Sequence, residues 1–184
     1  MRPNLKPLDR FNGWFVKPIE KLKELPEGNG GFAVMMISIP LYERYIIAKL
    51  KLDGRSTSEE EIGNEVSVDL GLDDRQRRIF WNMIRNGFMH QALPKAGETK
   101  WVASDKYGEL PEFKTYQGQI YICLDPWKFA NRVLEKFIQD PRLISVSESF
   151  PLADVFSVSA MQKSTDSSGH GNAGTSGNAL KDLP

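Results

Sequence analysis

Residues 31–52 read GFAVMMISIPLYERYIIAKLKL and contain the longest apolar run of this 184-residue chain, at 32–42. That run is too short to span a bilayer, which takes about 20 residues. Pro40 removes one backbone hydrogen bond and predicts a bend, and Asp53-Gly54 predicts the end of the helix. We therefore expect a long, deeply buried core helix here.

The flanking sequence predicts further helices joined by short connections. Apolar residues recur at helical spacing, and polar residues that favour helix starts precede several of these segments. The predicted capping residues are Ser56 or Ser58 for the third helix, Asp73 or Asp74 for the fourth, and Asp125 for the last. The predicted helices cover residues 8–25, 31–52, 56–70, 75–93 and 126–139.

Two short apolar segments, 101–103 and 119–124, predict strands that form a small hairpin. The fold class expected from this pattern is all-α, an antiparallel four- to five-helix bundle with the hairpin inserted before the last helix. A single helical domain is predicted over residues 1–158. Residues 159–184 are rich in Ser, Gly and Asn, and we expect them to be disordered because they lack the apolar area that offsets ordering entropy.

Composition narrows the possible functions. Basic and acidic residues balance at 24 each, so any contact with nucleic acid must depend on a local patch. The single cysteine, Cys123, excludes an internal disulfide and a multi-cysteine zinc site. Residues 1–10 lack the hydrophobic region of a signal peptide. The single cysteine fits a reducing cytosol, so we expect a cytoplasmic protein. With no Gly-rich phosphate loop and no metal-ligand spacing, the sequence predicts no cofactor and no metal.

A candidate site lies in the predicted helix 75–93, where Arg85-Asn86-Gly87-Phe88-Met89-His90 occurs. The only other histidine, His170, is in the tail. Histidine titrates near neutral pH and can accept and donate a proton. Arginine stays charged and presents a planar fork of donors that suits phosphate oxygens. Together, Arg85 and His90 supply what metal-free cleavage of an RNA backbone requires.

The spacing Arg-polar-x-x-x-His resembles the signature of the HEPN superfamily. These are small all-α domains, and many are metal-independent ribonucleases of toxin–antitoxin, phage-defence and CRISPR systems. The resemblance covers about residues 8–140 and depends on helix order and this one short motif. It implies that Arg85 and His90 are catalytic, that RNA is the substrate, and that an antitoxin or other regulatory protein is a possible partner.

The same resemblance implies a homodimer, because HEPN ribonucleases form their active site between two chains. Geometry favours this too. On an ideal α-helix, residues five apart differ by about 140° around the axis. Arg85 and His90 therefore do not share a face, and one chain alone predicts a loose site.

Two residues within the motif have more than one interpretation. Asn86 either hydrogen-bonds His90 and orients its ring, contacts RNA, or is merely solvated. Gly87 lies inside a helix, where glycine costs about 1 kcal/mol relative to alanine. This indicates either the close approach of a partner helix or substrate, or fraying before Pro94.

Glu43, in the long apolar helix, is the predicted supporting acid. It pairs either with Arg85, fixing its position, or locally with Arg44 or Lys49. A basic strip around the motif predicts RNA phosphate contacts, although a capped helix with neutralising neighbours explains it equally well. The residues of this strip expected to bind RNA are Arg75, Arg77, Arg78 and Lys95.

Two functions from different classes follow. The first is a HEPN-type endoribonuclease that leaves 2′,3′-cyclic phosphate and 5′-hydroxyl ends. In it, His90 acts as the proton-transfer group and Arg85 stabilises the transition state. The second is a non-catalytic, HEPN-like helical module that binds RNA, a nucleotide or a partner protein. A motif helix buried against the chain's own core would favour the second.

Overall fold

The computed structural model describes residues 7–145, so the predicted tail and the end of the predicted domain lie outside the described residues. The described chain is mostly helical with one small sheet. Its α-helices are α1 (Pro7–Phe11), α2 (Lys17–Leu22), α3 (Gly30–Leu52), α4 (Glu59–Leu70), α5 (Asp74–Phe80), α6 (Asn86–Gln91), α7 (Pro126–Gln139) and α8 (Arg142–Ser145). Its strands are β1 (Thr99–Ala103), β2 (Glu112–Tyr116) and β3 (Gln119–Leu124).

Helix α3 is the central element, as its apolar sequence predicts. It contacts α2, α4, α6, α7 and α8, and it includes Pro40. By length and composition, α3 is the one described helix that passes as a candidate membrane span, but 56% of its apolar window is buried inside the fold. A mostly buried core helix of a soluble protein passes the same test.

Helix α7 packs along α3 in the same direction, which the sequence did not predict. A Cβ on Gly31 would lie 3.8 Å from the Pro126 ring. Further along both helices, the Tyr42 and Phe129 rings lie 5.6 Å apart. The Tyr45 and Phe137 rings make contact further still toward the C-terminal ends of the two helices. The predicted antiparallel arrangement therefore does not hold for this pair. The reason is the long connection through the strands, which brings the chain back to the N-terminal end of α3 before α7 begins.

The predicted hairpin is also wrong in its pairing. Strand β1 pairs with β3 in parallel, and the antiparallel partner of β3 is β2, which the sequence analysis missed. The hairpin turn is Gln117-Gly118, and both residues have positive φ, at 50° and 78°. Such a two-residue turn matches the twist of the flanking strands. The sheet order is β1-β3-β2, with β3 in the middle.

The predicted caps identify three helix starts. The Ser58 hydroxyl accepts a hydrogen bond from the Glu61 amide at 3.3 Å, at the start of α4. Asp73 caps α5 within a reciprocal capping box. Asp125 caps α7 by accepting from the amides of the second and third residues of that helix. Of the two residues predicted for each of these caps, Ser58 and not Ser56 caps α4, and Asp73 and not Asp74 caps α5.

A buried ion cluster ties α4 to α7. The Asp69 carboxylate accepts hydrogen bonds from Lys136 at 2.6 Å and from Arg132 at 3.2 Å. The Lys136 ammonium also lies 4.7 Å from the centre of the Tyr45 ring. Burial is the main cause that raises the pKa of Tyr45 to about 12, and the nearby Asp69 charge adds to it. This cluster lies apart from the residues of the Arg/His motif.

Candidate functional site

The motif lies on a helix that is irregular at its centre. Helices α5 and α6 are continuous in direction but joined by a π-helical turn, Trp81–Arg85, in which the Asn86 amide donates to the Trp81 carbonyl. A regular helix over 75–93 was predicted. The wider turn leaves the Met83 carbonyl to accept a hydrogen bond at 3.0 Å from the Lys95 amide, beyond the end of α6. Such turns occur frequently at functional sites.

Gly87 is explained by this returning segment. A Cβ at Gly87 would lie 2.6 Å from the Leu93 carbonyl oxygen and 2.6 Å from the Lys95 amide nitrogen. Both atoms belong to the backbone, so they cannot move aside cheaply. The close approach expected at Gly87 therefore exists, but it is made by the chain's own residues after Ala92, which turns the backbone with φ 58°. Gly87 is not open to a partner helix or to substrate.

Glu43 and Arg85 form a bidentate ion pair. The Arg85 Nε donates to Glu43 at 3.1 Å, and Nη2 donates to its other carboxylate oxygen at 2.6 Å. Both side chains are mostly buried, at 18% and 23% exposed. The guanidinium also lies 5.5 Å from the centre of the Trp81 ring. Of the two pairings considered from the sequence, the structure has the one with Arg85, and the Arg85 position is fixed by α3.

Asn86 also holds the Arg85 side chain in place. Its side-chain oxygen accepts a hydrogen bond at 2.8 Å from Arg85 Nη1. Of the alternatives considered for Asn86, the hydrogen bond to His90 is absent from the described residues, and Asn86 bonds its neighbour Arg85 instead. The His90 side chain is exposed and makes no hydrogen bond or ion pair with any described residue.

A cavity of about 510 Å³ brings the motif residues together in a single chain. From helix geometry, Arg85 and His90 were expected to lie on different faces and to form only a loose site in one chain. They nevertheless line one cavity, because the long Arg85 side chain reaches Glu43 on α3 while His90 lies at the exposed edge. The polar and aromatic side chains that line the cavity are Glu43, Glu59, Arg77, Trp81, Arg85, Asn86 and His90.

Only one of the four predicted RNA-binding residues lines this cavity, and it is Arg77. Arg75 and Arg78 are exposed on α5, and Arg78 pairs with Asp74 at 2.8 Å. Lys95 donates to the Asn82 side chain at 3.1 Å. The alternative of a capped helix with neutralising neighbours thus describes Arg78 better than a phosphate-binding role does.

Trp81 and Glu59 are cavity residues that the sequence analysis missed. A signal for Trp81 was present, since Arg77, Trp81 and Arg85 are spaced four residues apart and such residues neighbour one another on a helix. Glu59 gave no signal, because it lies in a run of three glutamates at a helix start. Its place in the cavity depends on how α4 packs on α5.

The cavity carries charges of both signs. Glu43 and Glu59 line it together with Arg77 and Arg85, and Glu43 is paired directly with Arg85. Within residues 7–145, no group of three or more His, Cys, Asp or Glu side chains is placed to hold a metal ion. Comparisons of this chain with protein-family models, with curated proteins and with solved structures found no match.

Proposed function

We propose that this protein is a HEPN-type, metal-independent endoribonuclease that acts in the cytoplasm. The observation that carries the proposal is the meeting of Arg85, Asn86 and His90 in one cavity, with Glu43 holding Arg85 from α3. In this proposal the helices α3 to α7 are a HEPN-like bundle into which the three strands are inserted. Toxin or phage-defence activity is the biological setting that the resemblance favours.

Arg85 is the proposed charge-stabilising group. Its guanidinium carries five N–H donors, of which Glu43 and Asn86 occupy three. One N–H on each terminal nitrogen is left without an acceptor among the described residues. Because the Glu43 carboxylate already holds the guanidinium in place, the donors need no reorganisation when charge builds on phosphorus. Preorganised donors lower a barrier in this way. Glu43 is therefore a positioning residue.

His90 is the proposed proton-transfer group. In the first step the 2′-oxygen forms a bond to phosphorus, the bond from phosphorus to the 5′-oxygen breaks, and the products are a 2′,3′-cyclic phosphate and a 5′-hydroxyl. His90 either accepts the 2′-hydroxyl proton or donates a proton to the leaving 5′-oxygen. Its exposure leaves it accessible for both roles. The second proton-transfer group is then water or His90 of a second copy.

A homodimer is part of this proposal. Apolar side chains are exposed on α3 and around the end of α6, two helices that pack on each other. Each of these side chains is at least 42% exposed, and they are Phe32, Met36, Met89 and Leu93. His90 lies between the last two in sequence, so a copy that covers them would bring its own His90 nearby.

The test is cleavage of single-stranded RNA in EDTA. We expect 2′,3′-cyclic phosphate ends, and we expect His90→Ala to lower the rate by about 10²–10⁴-fold, as loss of a positioned acid or base does. Gln91→Ala is the matched control, since Gln91 is the exposed neighbour of His90 outside the cavity lining. Equal cleavage by wild type and His90→Ala would identify a contaminating nuclease and end the catalytic proposal.

The second function, a non-catalytic HEPN-like module, is favoured by one observation. The bidentate pair with Glu43 neutralises Arg85 and joins two helices, which is also what a purely structural salt bridge does. Binding of RNA or a nucleotide without cleavage, unchanged by His90→Ala, would establish this function in place of the first.

A further inference from the structure

Gly63 lies in the interior of α4, where a glycine costs about 1 kcal/mol relative to alanine. Its φ is not positive, so the backbone there does not require glycine. A Cβ at Gly63 would lie 2.5 Å from Nη1 and 3.1 Å from Cζ of Arg77. The three nearest atoms all belong to that one side chain. The missing Cβ therefore makes room for the Arg77 guanidinium.

Arg77 lies against α4 at the cavity wall. Its side chain is 22% exposed, while Arg75, two residues earlier on the same helix, is exposed and does not line the cavity. Among the described residues, Arg77 has one side-chain hydrogen-bond acceptor, the Asp74 carboxylate, to which Nη2 donates. Its other donors are left for a ligand.

We propose that Arg77, seated by the space at Gly63, binds a phosphate of the RNA next to the one that Arg85 holds. This inference rests on the proposed function, since it places a second phosphate site in the same cavity. Trp81 lies four residues from both arginines and also lines the cavity. The Arg77 site binds substrate and takes no part in bond making, so its loss raises KM and leaves kcat nearly unchanged.

The probe is a single-stranded RNA oligonucleotide with 2′-O-methyl riboses, which lacks the attacking 2′-hydroxyl and is not cleaved through it. Its affinity is measured by fluorescence anisotropy at several salt concentrations. We expect Arg77→Gln to weaken binding several-fold and to reduce the salt slope by about 1, as loss of one phosphate contact does. Gly63→Ala should have a similar effect, because its methyl displaces Arg77. Arg142→Gln is the matched control, because Arg142 is an exposed arginine of α8 that does not line this cavity, and it should leave affinity and slope nearly unchanged.

Two further measurements separate this role from a merely structural one. Gly63→Ala should melt at the wild-type temperature or above, because alanine favours the helix and only the end of a flexible side chain must move. In the Arg77→Gln background, Gly63→Ala should have no further effect on affinity, since Gly63 acts through Arg77 alone. On cleavable RNA, both variants should change KM and not kcat.

The outcomes distinguish the two proposals. Binding that is unaffected by Arg77→Gln, or weakened equally by Arg142→Gln, would overturn the Arg77 site and leave the proposed function standing. Binding that depends on Arg77 without any cleavage would support the Arg77 site and overturn the catalytic function. No binding of the probe by the wild-type protein would overturn the Arg77 site and the proposed function together.

Discussion

Glu43 and Arg85 stand 42 residues apart in sequence, and their side chains meet through hydrogen bonds of 3.1 and 2.6 Å. The pair fastens α3 to the wide turn before α6, with both side chains mostly buried. Two consequences follow for experiments on Arg85. Its removal should lower stability apart from any effect on the proposed catalysis, and the Glu43 carboxylate is then left mostly buried without this partner.

We therefore expect Arg85→Gln to lower the free energy of unfolding by about 1–3 kcal/mol, because removing one partner leaves the other desolvated. The double variant Glu43→Gln with Arg85→Gln should recover part of this loss. Urea unfolding measures both. Glu24→Gln, which removes an exposed partner of Lys21, should have no measurable effect. A double variant as unstable as the sum of the two single variants would contradict this account.

Glu65 should make stability depend on pH. Burial alone raises its pKa, but hydrogen bonds from Lys49 and Arg55 outweigh it and hold the pKa below the ordinary 4.5. A depressed pKa in the folded state gives stability that is present above the unfolded-state pKa and is lost as pH falls through the folded-state value. Between neutral pH and pH about 3, wild type should therefore lose more stability than Glu65→Gln. Parallel losses in urea unfolding at the two pH values would refute it.

Gly87→Ala should destabilise the monomer, by about 1–3 kcal/mol as overpacking does. The new methyl would meet the backbone of Leu93 and Lys95, which is fixed by its own hydrogen bond to Met83. Gly13→Ala is the matched control, because nothing lies within 4 Å of a Cβ there. Thermal unfolding measures the difference. Equal melting temperatures for the two variants would contradict this prediction, because the backbone of residues 93–95 would then have moved aside without cost.

Self-association should depend on the exposed apolar residues beside His90. We expect Leu93→Glu to weaken a dimer that buries at least about 1,000 Å², without lowering the melting temperature of the monomer, because Leu93 is 54% exposed. Val68→Glu, at a residue 79% exposed on α4, is the control. Sedimentation at tens of micromolar measures this. A protein that is monomeric there, yet cleaves RNA through His90, would rule out a site shared between chains.

Local patterns determine where helices form, so the sequence located most of the helical segments, but the described residues form more and shorter helices than the four or five of the predicted bundle. Apolar spacing located α3 and α7, and side-chain caps at Ser58, Asp73 and Asp125 located helix starts. The sheet was harder to predict. Only Phe113 of β2 is sheltered from solvent, so that strand shows no apolar alternation, and its Gln117-Gly118 turn lacks the usual Asn or Asp. The parallel pairing of β1 with β3 depends on the connection between them.

Some residues of the candidate cavity were selected from the sequence, but Trp81, Glu59 and the arrangement of the side chains were not. Arg85, His90 and Glu43 stand out in the sequence because charged or titratable residues are unusual beside apolar runs. Which partner each one takes depends on packing between helices, so the pairing of Glu43 with Arg85 remained one of two alternatives. The role of Gly63 had no local signal, since only the fold brings it to Arg77.

The wide turn Trp81–Arg85 also affects how the motif should be compared with other sequences. It contains about one residue more than an α-helical turn, and an α-helix rotates by about 100° per residue. Deleting one residue within 81–85 would keep the helix continuous and the Arg/His spacing intact if the lost residue preceded Arg85. It would turn the wide turn into an ordinary α-helical turn, so α6 would keep its face toward α3 and Arg85 would stay beside Glu43, with Arg77 one residue nearer to Arg85 in sequence. A sequence comparison that requires the present spacing between Arg77 and Arg85 would therefore miss such a chain, although its two arginines would still line one cavity.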